Sequence, residues 1–273
     1  MKYELRRRLY SQNNLVNPKL IAKLIRKFSI GKNDKVIEIG PGRGIITQEL
    51  LKASGKVIAV EIDNHLYHHL VEKYKYSKNL ELMQGDILKF NLPSCAYKVF
   101  ANIPFIITAD IIKKLTSDSN FQEAYLIIQK EAAKKFIGMP YDNKNSMMAT
   151  LLKPLFEISI FWNFKRTDFI PIPNVDIVMI RITRRNNPLI PLSILKDFRD
   201  FILYTYNRKK MARLEFFQIV KLFNHYIHRT GAYERKIISI EAEKILKRQE
   251  NLEKIHRTRV DKNWYKFKSR KNQ

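Results

Sequence analysis

The residues of this chain whose types can act together chemically are Asn102-Ile103-Pro104-Phe105. They follow a short apolar run, Tyr97 to Ala101, and precede a helical pattern from Thr108 to Leu115. A strand that stops here leaves an amide side chain at its carboxyl end, and Pro104 removes one backbone donor and stiffens the turn. The Asn102 amide oxygen and the Ile103 carbonyl are both acceptors, and Phe105 supplies a flat ring beside them. Two such acceptors can hold the two hydrogens of an exocyclic amino group on a base stacked against Phe105. The tetrapeptide suits an amine on a planar ring, although the same residues also describe a plain strand-end turn with a buried Phe.

The elements before this stretch supply further strand ends. Val36 to Ile39 is a short apolar strand that stops at Gly40-Pro41-Gly42-Arg43-Gly44, and Ile45 to Ala53 then has a helical pattern. Lys56 to Val60 is a second strand ending at Glu61, followed by a helix from Asn64 to Tyr74. Leu80 to Met83 is a third, leading into Gly85-Asp86-Ile87. Alternating strands and helices predict a doubly wound parallel α/β sheet, in which strand ends face one crevice. An acidic residue about 20 positions past the glycines suits the hydroxyls of a ribose. Ile at position 45 breaks the dinucleotide pattern G-x-G-x-x-G, which disfavours a nicotinamide cofactor. Four polar strand ends in succession, Gly40, Glu61, Asp86 and Asn102, are a stronger signal than the glycines alone.

Composition says what such a crevice meets. The chain has 273 residues and is 45% apolar, enough for one sizeable domain or two small ones. Lys and Arg number 51 against 26 Asp and Glu, a net charge of +25. That field attracts polyanions, and nucleic acid is the usual partner. No apolar run approaches the roughly 18 residues of a membrane span, and Met1 to Tyr10 lacks a signal-peptide pattern. A single cysteine, Cys95, excludes an internal disulfide framework and fits a reducing compartment. The histidines form no second cluster, so no metal site is expected.

The remaining elements bear on the same crevice. Pro18 opens a helix with an apolar face of Leu20, Ile21, Leu24, Ile25 and Phe28. Ala124 to Ile128 is a fifth strand, Glu131 to Ile137 a basic helix, and Gly138 to Asn143 a flexible loop near the base site. Glu157 to Phe161 and Ile177 to Arg181 alternate as two closing strands. Between them, prolines at 171 and 173 stiffen an extended loop. That loop either presents Phe169 or plugs it into the core. A linker follows at Arg184 to Pro188, then amphipathic helices at Leu195 to Tyr206, Met211 to His228 and Ile237 to Leu252. The chain ends in a basic stretch from Arg257 to Gln273.

Taken in order, Ser11-Gln12-Asn13, Glu38-Ile39-Gly40-Pro41-Gly42-Arg43-Gly44, Glu61, Gly85-Asp86-Ile87, Asn102-Ile103-Pro104-Phe105 and Phe169-x-Pro171-x-Pro173-x-Val175 resemble the motifs of the rRNA adenine-N6 dimethyltransferases. The Ile of Asn-Ile-Pro-aromatic is most similar to the Erm enzymes, which modify 23S rRNA and confer macrolide resistance; relatives acting on 16S rRNA usually have Leu there. Asn14 stands where the family usually has an aromatic residue, and Phe105 replaces the commoner Tyr. The resemblance implies a Rossmann-like methyltransferase domain with a mostly parallel seven-stranded sheet and a small C-terminal helical domain. The boundaries expected are a basic arm at 1–10, the methyltransferase domain at 11–184, a helical RNA-binding domain at 185–256 and a disordered basic tail at 257–273. It implies S-adenosylmethionine as cofactor, with Gly40 and Gly42 against its methionine part, Asn13 and Leu15 closing that end, and Glu61 on the ribose. Asp86 would accept from the adenine amino group, near the Ile87 amide. The target adenine, flipped from its stack, would lie between Phe105 and Phe169, with Asn102 and the Ile103 carbonyl orienting N6. The expected partner is 23S rRNA, met in the cytoplasm by a monomer without metal or membrane. One or two methyl groups, a 16S target, and a non-catalytic nucleic-acid-binding factor of the same fold all remain open at this level.

Overall fold

The computed structural model describes residues 14–104, 107–138, 146–206, 208 and 211–249. The N-terminal arm and the basic tail lie outside these residues. The chain divides into two compact units, Met1–Ile137 with Leu155–Asn187, and Gly138–Pro154 with Pro188–Gln273.

The first unit is built on a seven-stranded sheet. β2 (Lys35–Ile39), β3 (Lys56–Glu61), β4 (Leu80–Gln84), β5 (Tyr97–Asn102) and β6 (Phe121–Gln129) run parallel; β7 (Phe156–Asn163) and β9 (Ile177–Arg184) close the far edge antiparallel. The order across the sheet is β4-β3-β2-β5-β6-β9-β7. Parallel strands are covered on both faces and so are apolar almost throughout, as Val36, Ile37, Val57, Ala59 and Val99, all without exposed surface, illustrate. A separate two-stranded ladder pairs β1 (Asn14–Leu15) with β8 (Phe169–Ile170).

The helices of this unit start where their caps allow. α1 (Pro18–Ile25) begins at Asn17, whose side chain accepts from the Leu20 N–H at 3.1 Å, with Pro18 in the first turn where its missing donor costs nothing. It buries Ile21, Leu24 and Ile25 at helical spacing, and Phe28 beyond its end stacks on Tyr125 with ring centres 3.9 Å apart. α2 (Ile45–Ala53) follows the glycine turn. α3 (Asn64–Lys73) is capped by Asp63, which accepts from His65 and Leu66 at 2.8 and 3.1 Å. α4 (Thr108–Thr116) and α5 (Lys130–Ile137) follow β5 and β6.

The second unit is helical. α6 (Met147–Leu152), α7 (Leu195–Thr205), α8 (Phe216–Arg229) and a further helix over 232–249 supply its described elements. Its core gathers Phe198, Phe201, Ile202, Met211, Ile219 and Phe223, and Met147 and Leu151 of α6 pack on that cluster. The segment around α6, which the sequence reading kept in the methyltransferase domain, therefore belongs here. Ser146, accepting from the Ala149 N–H at 3.0 Å, was the local signal for this helix. The helix expected from Met211 starts instead at Phe216: Glu215 and Gln218 form a capping box, and Met211 to Arg213 make a tighter turn that buries Met211. Phe223 packs edge-on to Phe198 at 5.1 Å and is fully buried. Phe223→Ala should cost about 3–5 kcal/mol, read as a lowered urea midpoint for the helical unit.

Candidate active site

The crevice is built from the glycine turn outward. β2 ends at Ile39, and Gly40 turns the chain in the left-handed region, φ 65°, its N–H donating to the Val60 carbonyl at 3.0 Å. Among the described residues, a Cβ at Gly40 would meet no heavy atom within 4 Å, which leaves space over the strand end. Gly44 differs. At φ 78° its Cβ would sit 2.8 Å from both Leu70 and Tyr74. The Tyr74 hydroxyl donates to the Gly44 carbonyl at 2.5 Å, which locks the turn onto α3. One glycine keeps space for a ligand; the other lets two elements touch.

Glu61 stands at the end of β3 and is almost fully buried. One carboxylate oxygen accepts from the Gly42 N–H at 3.0 Å and the other from the Asp63 N–H at 2.9 Å. Burial raises its pKa, and the two backbone donors oppose that rise. A carboxylate offers about four lone-pair directions, so acceptor capacity remains after both bonds. At the next strand end, Gly85 donates to the Glu61 carbonyl at 2.9 Å. Asp86 follows, half-buried, with one carboxylate oxygen accepting from the Leu88 N–H at 2.9 Å. Ile87 is buried beside it. Asn102 closes β5, half-buried and opposite Ile127, and the Ile103 N–H donates to the Ile127 carbonyl at 3.3 Å. Pro104 accepts from Ile107 at 3.1 Å, which makes the turn. Parallel pairing of β3, β2 and β5 thus brings the residues chosen from sequence to one edge of one sheet.

Asn13 and Phe105 lie outside the described residues. Leu15 is buried in the core and pairs with Phe169 across the small ladder. Phe169 itself has no exposed surface, packs in the sheet's core cluster and meets Phe164 edge-on at 5.3 Å. Of the two placements the loop allows, the structure has the ring plugged into the core, with Leu15 beside it in the β1–β8 ladder. The Gly138 to Asn143 loop falls largely outside the described residues.

Sequence reasoning quoted Glu38 within the glycine motif and gave it no role. It sits in the middle of β2, buried, and among the described residues neither carboxyl oxygen has a hydrogen-bond partner of good geometry. Burial pushes its pKa up to about 8, Thr47 opposes this without reaching full hydrogen-bond geometry, and the Glu61 charge adds to the rise. The signal was an acidic residue inside an otherwise apolar strand. Among the described residues, no group of three or more His, Cys, Asp or Glu is placed to hold a metal ion, and no helix is long and apolar enough to cross a membrane.

A five-strand parallel core with a glycine turn, two acidic strand ends and an asparagine at the fourth defines a Rossmann-like methyltransferase. The sequence matches the ribosomal RNA adenine dimethylase family over residues 4–228, and the chain belongs to that family. The small subunit methyltransferase A of Mycoplasmopsis synoviae (strain 53) is 36% identical over 203 residues, 73% of this chain and 77% of the relative. The rRNA adenine N-6-methyltransferase of Limosilactobacillus reuteri is 33% identical over 215 residues, 77% of this chain and 86% of the relative. Among solved structures, the 23S rRNA methyltransferase ErmE superposes with a TM-score of 0.67 at 28% identity, covering 72% of this chain and 80% of that one. The chain is accordingly an rRNA (adenine-N6)-methyltransferase, and S-adenosylmethionine is the cofactor of its class.

Glu38 yields a pH prediction. Its folded pKa lies above the ordinary carboxyl value of 4.5. The stability it contributes is complete below that value and is lost as pH rises toward about 8. Glu38→Gln should remove this slope, which is at most about 1.4 kcal/mol per pH unit. Urea unfolding of both proteins at several pH values between these limits checks it; parallel curves contradict the assignment.

Proposed function

We propose that this enzyme methylates N6 of an adenine in 23S rRNA, and that the modification confers resistance of the macrolide-lincosamide-streptogramin B type. The observation that carries the chemistry is the single edge holding Gly40, Glu61, Asp86 and Asn102, with space over Gly40 among the described residues. S-adenosylmethionine fits that edge and supplies an electrophilic methyl group on a sulfonium. The glycine turn takes its methionine part, with Asn13 and Leu15 closing that end. Glu61 offers its remaining lone pairs to the ribose hydroxyls, and Asp86, with the Ile87 amide nearby, reads the adenine amino group.

Asn102 and the Ile103 carbonyl then act on the target base. Both accept from N6–H, which pulls the amino nitrogen toward tetrahedral geometry and frees its lone pair to face the methyl carbon. The bound cofactor would supply the methyl carbon that this lone pair meets, and the N6 proton would leave afterward to solvent. Alignment and fixed dipoles do most of this work, so no dedicated base is required. Phe105 stacks on the base from one side.

The 23S target rests on Ile103 in the Asn-Ile-Pro-Phe stretch and on the likeness to ErmE. A 16S target rests on relatives named small subunit methyltransferase A, the 36% identical one among them. Mass spectrometry of rRNA from cells with and without the protein separates the two and counts the methyl groups. A methylated adenine in 16S rRNA alone overturns the 23S target while leaving the chemistry in place.

Asn102→Ala should lower the single-turnover methylation rate by roughly 10²–10³ with little change in binding of either partner. Phe105→Ala should lose stacking worth ~1–3 kcal/mol, whereas Phe105→Tyr stays active. A fully active Asn102→Ala enzyme would remove the assigned mechanism.

A further inference from the structure

The strands carry a relation that no single motif contains. Asn102 lies opposite Ile127, Ile127 opposite Met179, and Met179 opposite Trp162. Directly paired residues project to the same face of a sheet, so Trp162 shares the face of Asn102, three strands along. At about 4.8 Å per strand the separation is roughly 14 Å; Ile127 and Met179 between them are buried, so a single strand of a few nucleotides would join the two points outside the covered row. β7 is the edge strand, and its ladder shifts register between Ile160 and Trp162. Irregularities of this kind re-aim side chains at sheet edges. The indole is half-buried and retains exposed surface.

Two cations converge on that ring. Lys23 on α1 and Lys27 in the turn beyond its end, both exposed, place their ammonium groups 5.5 and 5.6 Å from the Trp162 ring centre. Among the described residues neither pairs with a carboxylate. A single exposed ammonium over an aromatic face is worth about 0.5–1 kcal/mol; a second beside it adds like-charge repulsion that an anion would relieve. An aromatic surface bordered by unneutralised cations is the composition of a single-stranded nucleic-acid subsite.

We propose that Trp162, Lys23 and Lys27 form a subsite for an unpaired nucleotide flanking the target adenine, its base against the indole and its phosphates on the two ammoniums. The subsite rests on rRNA being the substrate and not on which subunit supplies it. It fixes the strand at a second point in the Asn102 row, so that the reacting nucleotide enters the crevice from a defined direction. Solvated lysines over a packing tryptophan are the alternative.

Trp162 and Trp264 are the two tryptophans of the chain, so a Trp264→Phe background isolates the signal of Trp162. Fluorescence should be quenched by whichever rRNA fragment the wild type methylates when its single-stranded flank is present, and far less when the flank is trimmed. Trp162→Ala should weaken binding of the flanked RNA about 5- to 150-fold, and Trp162→Phe should recover most of it. Lys23→Gln with Lys27→Gln, which leaves the indole packing untouched, should weaken binding and lower the salt slope by about 1.4 for two phosphates of a single strand. S-adenosylmethionine affinity should match wild type in every variant. Fluorescence unmoved by flanked RNA, or a wild-type salt slope in the lysine double variant, overturns the proposal. Methylation of a 16S fragment alone would change the target assignment and leave the expected quench as it stands.

Discussion

Two backbone N–H groups, from Gly42 and Asp63, converge on the buried carboxylate of Glu61, and the geometry of the crevice hangs on that convergence. Hydrogen bonds to an ionised acceptor are roughly twice as strong as neutral ones. Here they tie the glycine turn after β2 to the end of β3. The consequences run outward from there. Asp63, fixed by its N–H, turns its own carboxylate to cap α3. The same helix carries Leu70 and Tyr74 onto Gly44, which sets where α2 begins. Replacing the carboxylate with an amide would put a donor where one of these two N–H groups already points.

Two carboxyl groups close to one turn are thereby given different surroundings. Glu61 has backbone donors that favour its charged form. Glu38 has none of good geometry, and burial together with the neighbouring charge keeps its proton on until about pH 8. Like charges in one enclosed site resist joint ionisation, and the chain resolves the conflict by giving the hydrogen bonds to one of them. Burial raises the pKa of both carboxyls, and the backbone donors of good geometry that oppose that rise stand at Glu61. A protonated Glu38 beneath it fills the sheet without a second field.

The parts legible in the sequence were those with local causes. Gly40, Glu61, Asp86 and Asn102 stood out because each ends an apolar run, and parallel pairing makes strand ends neighbours whatever the helices between them do. Phe169 was not settled by its surroundings, since alternate prolines describe a stiff loop that faces either way. What decided it was pairing with Leu15, far away in the chain. The α6 segment showed the same limit. Its Ser146 cap is local, but its allegiance to Phe198 and Phe223 depends on helices that follow later in sequence. Trp162 had no signal at all, because its alignment with Asn102 exists only once four strands have taken their registers.

The strand-end residues also bound what they are able to select. Any transfer of a methyl group to adenine N6 needs the same acceptors at the nitrogen and the same ribose and adenine contacts at the donor. In the proposed roles these residues would read an exocyclic amino group on a planar base, not one ribosomal adenine against another. Relatives named for the small subunit and relatives named simply as rRNA adenine methyltransferases stand at similar identity to this chain, as expected when most of the match lies in that shared chemistry. Discrimination between rRNAs must come from contacts to nucleotides that do not react. Such contacts act on how the strand arrives and not on the bond that forms, and a net charge of +25 makes non-specific arrival easy. A stacking contact adds what charge alone lacks, since it demands an unpaired base at a fixed distance from the flipped one. An edge-strand aromatic in the same row as Asn102 is therefore a physically suited place for selectivity to enter, outside the residues that perform the transfer.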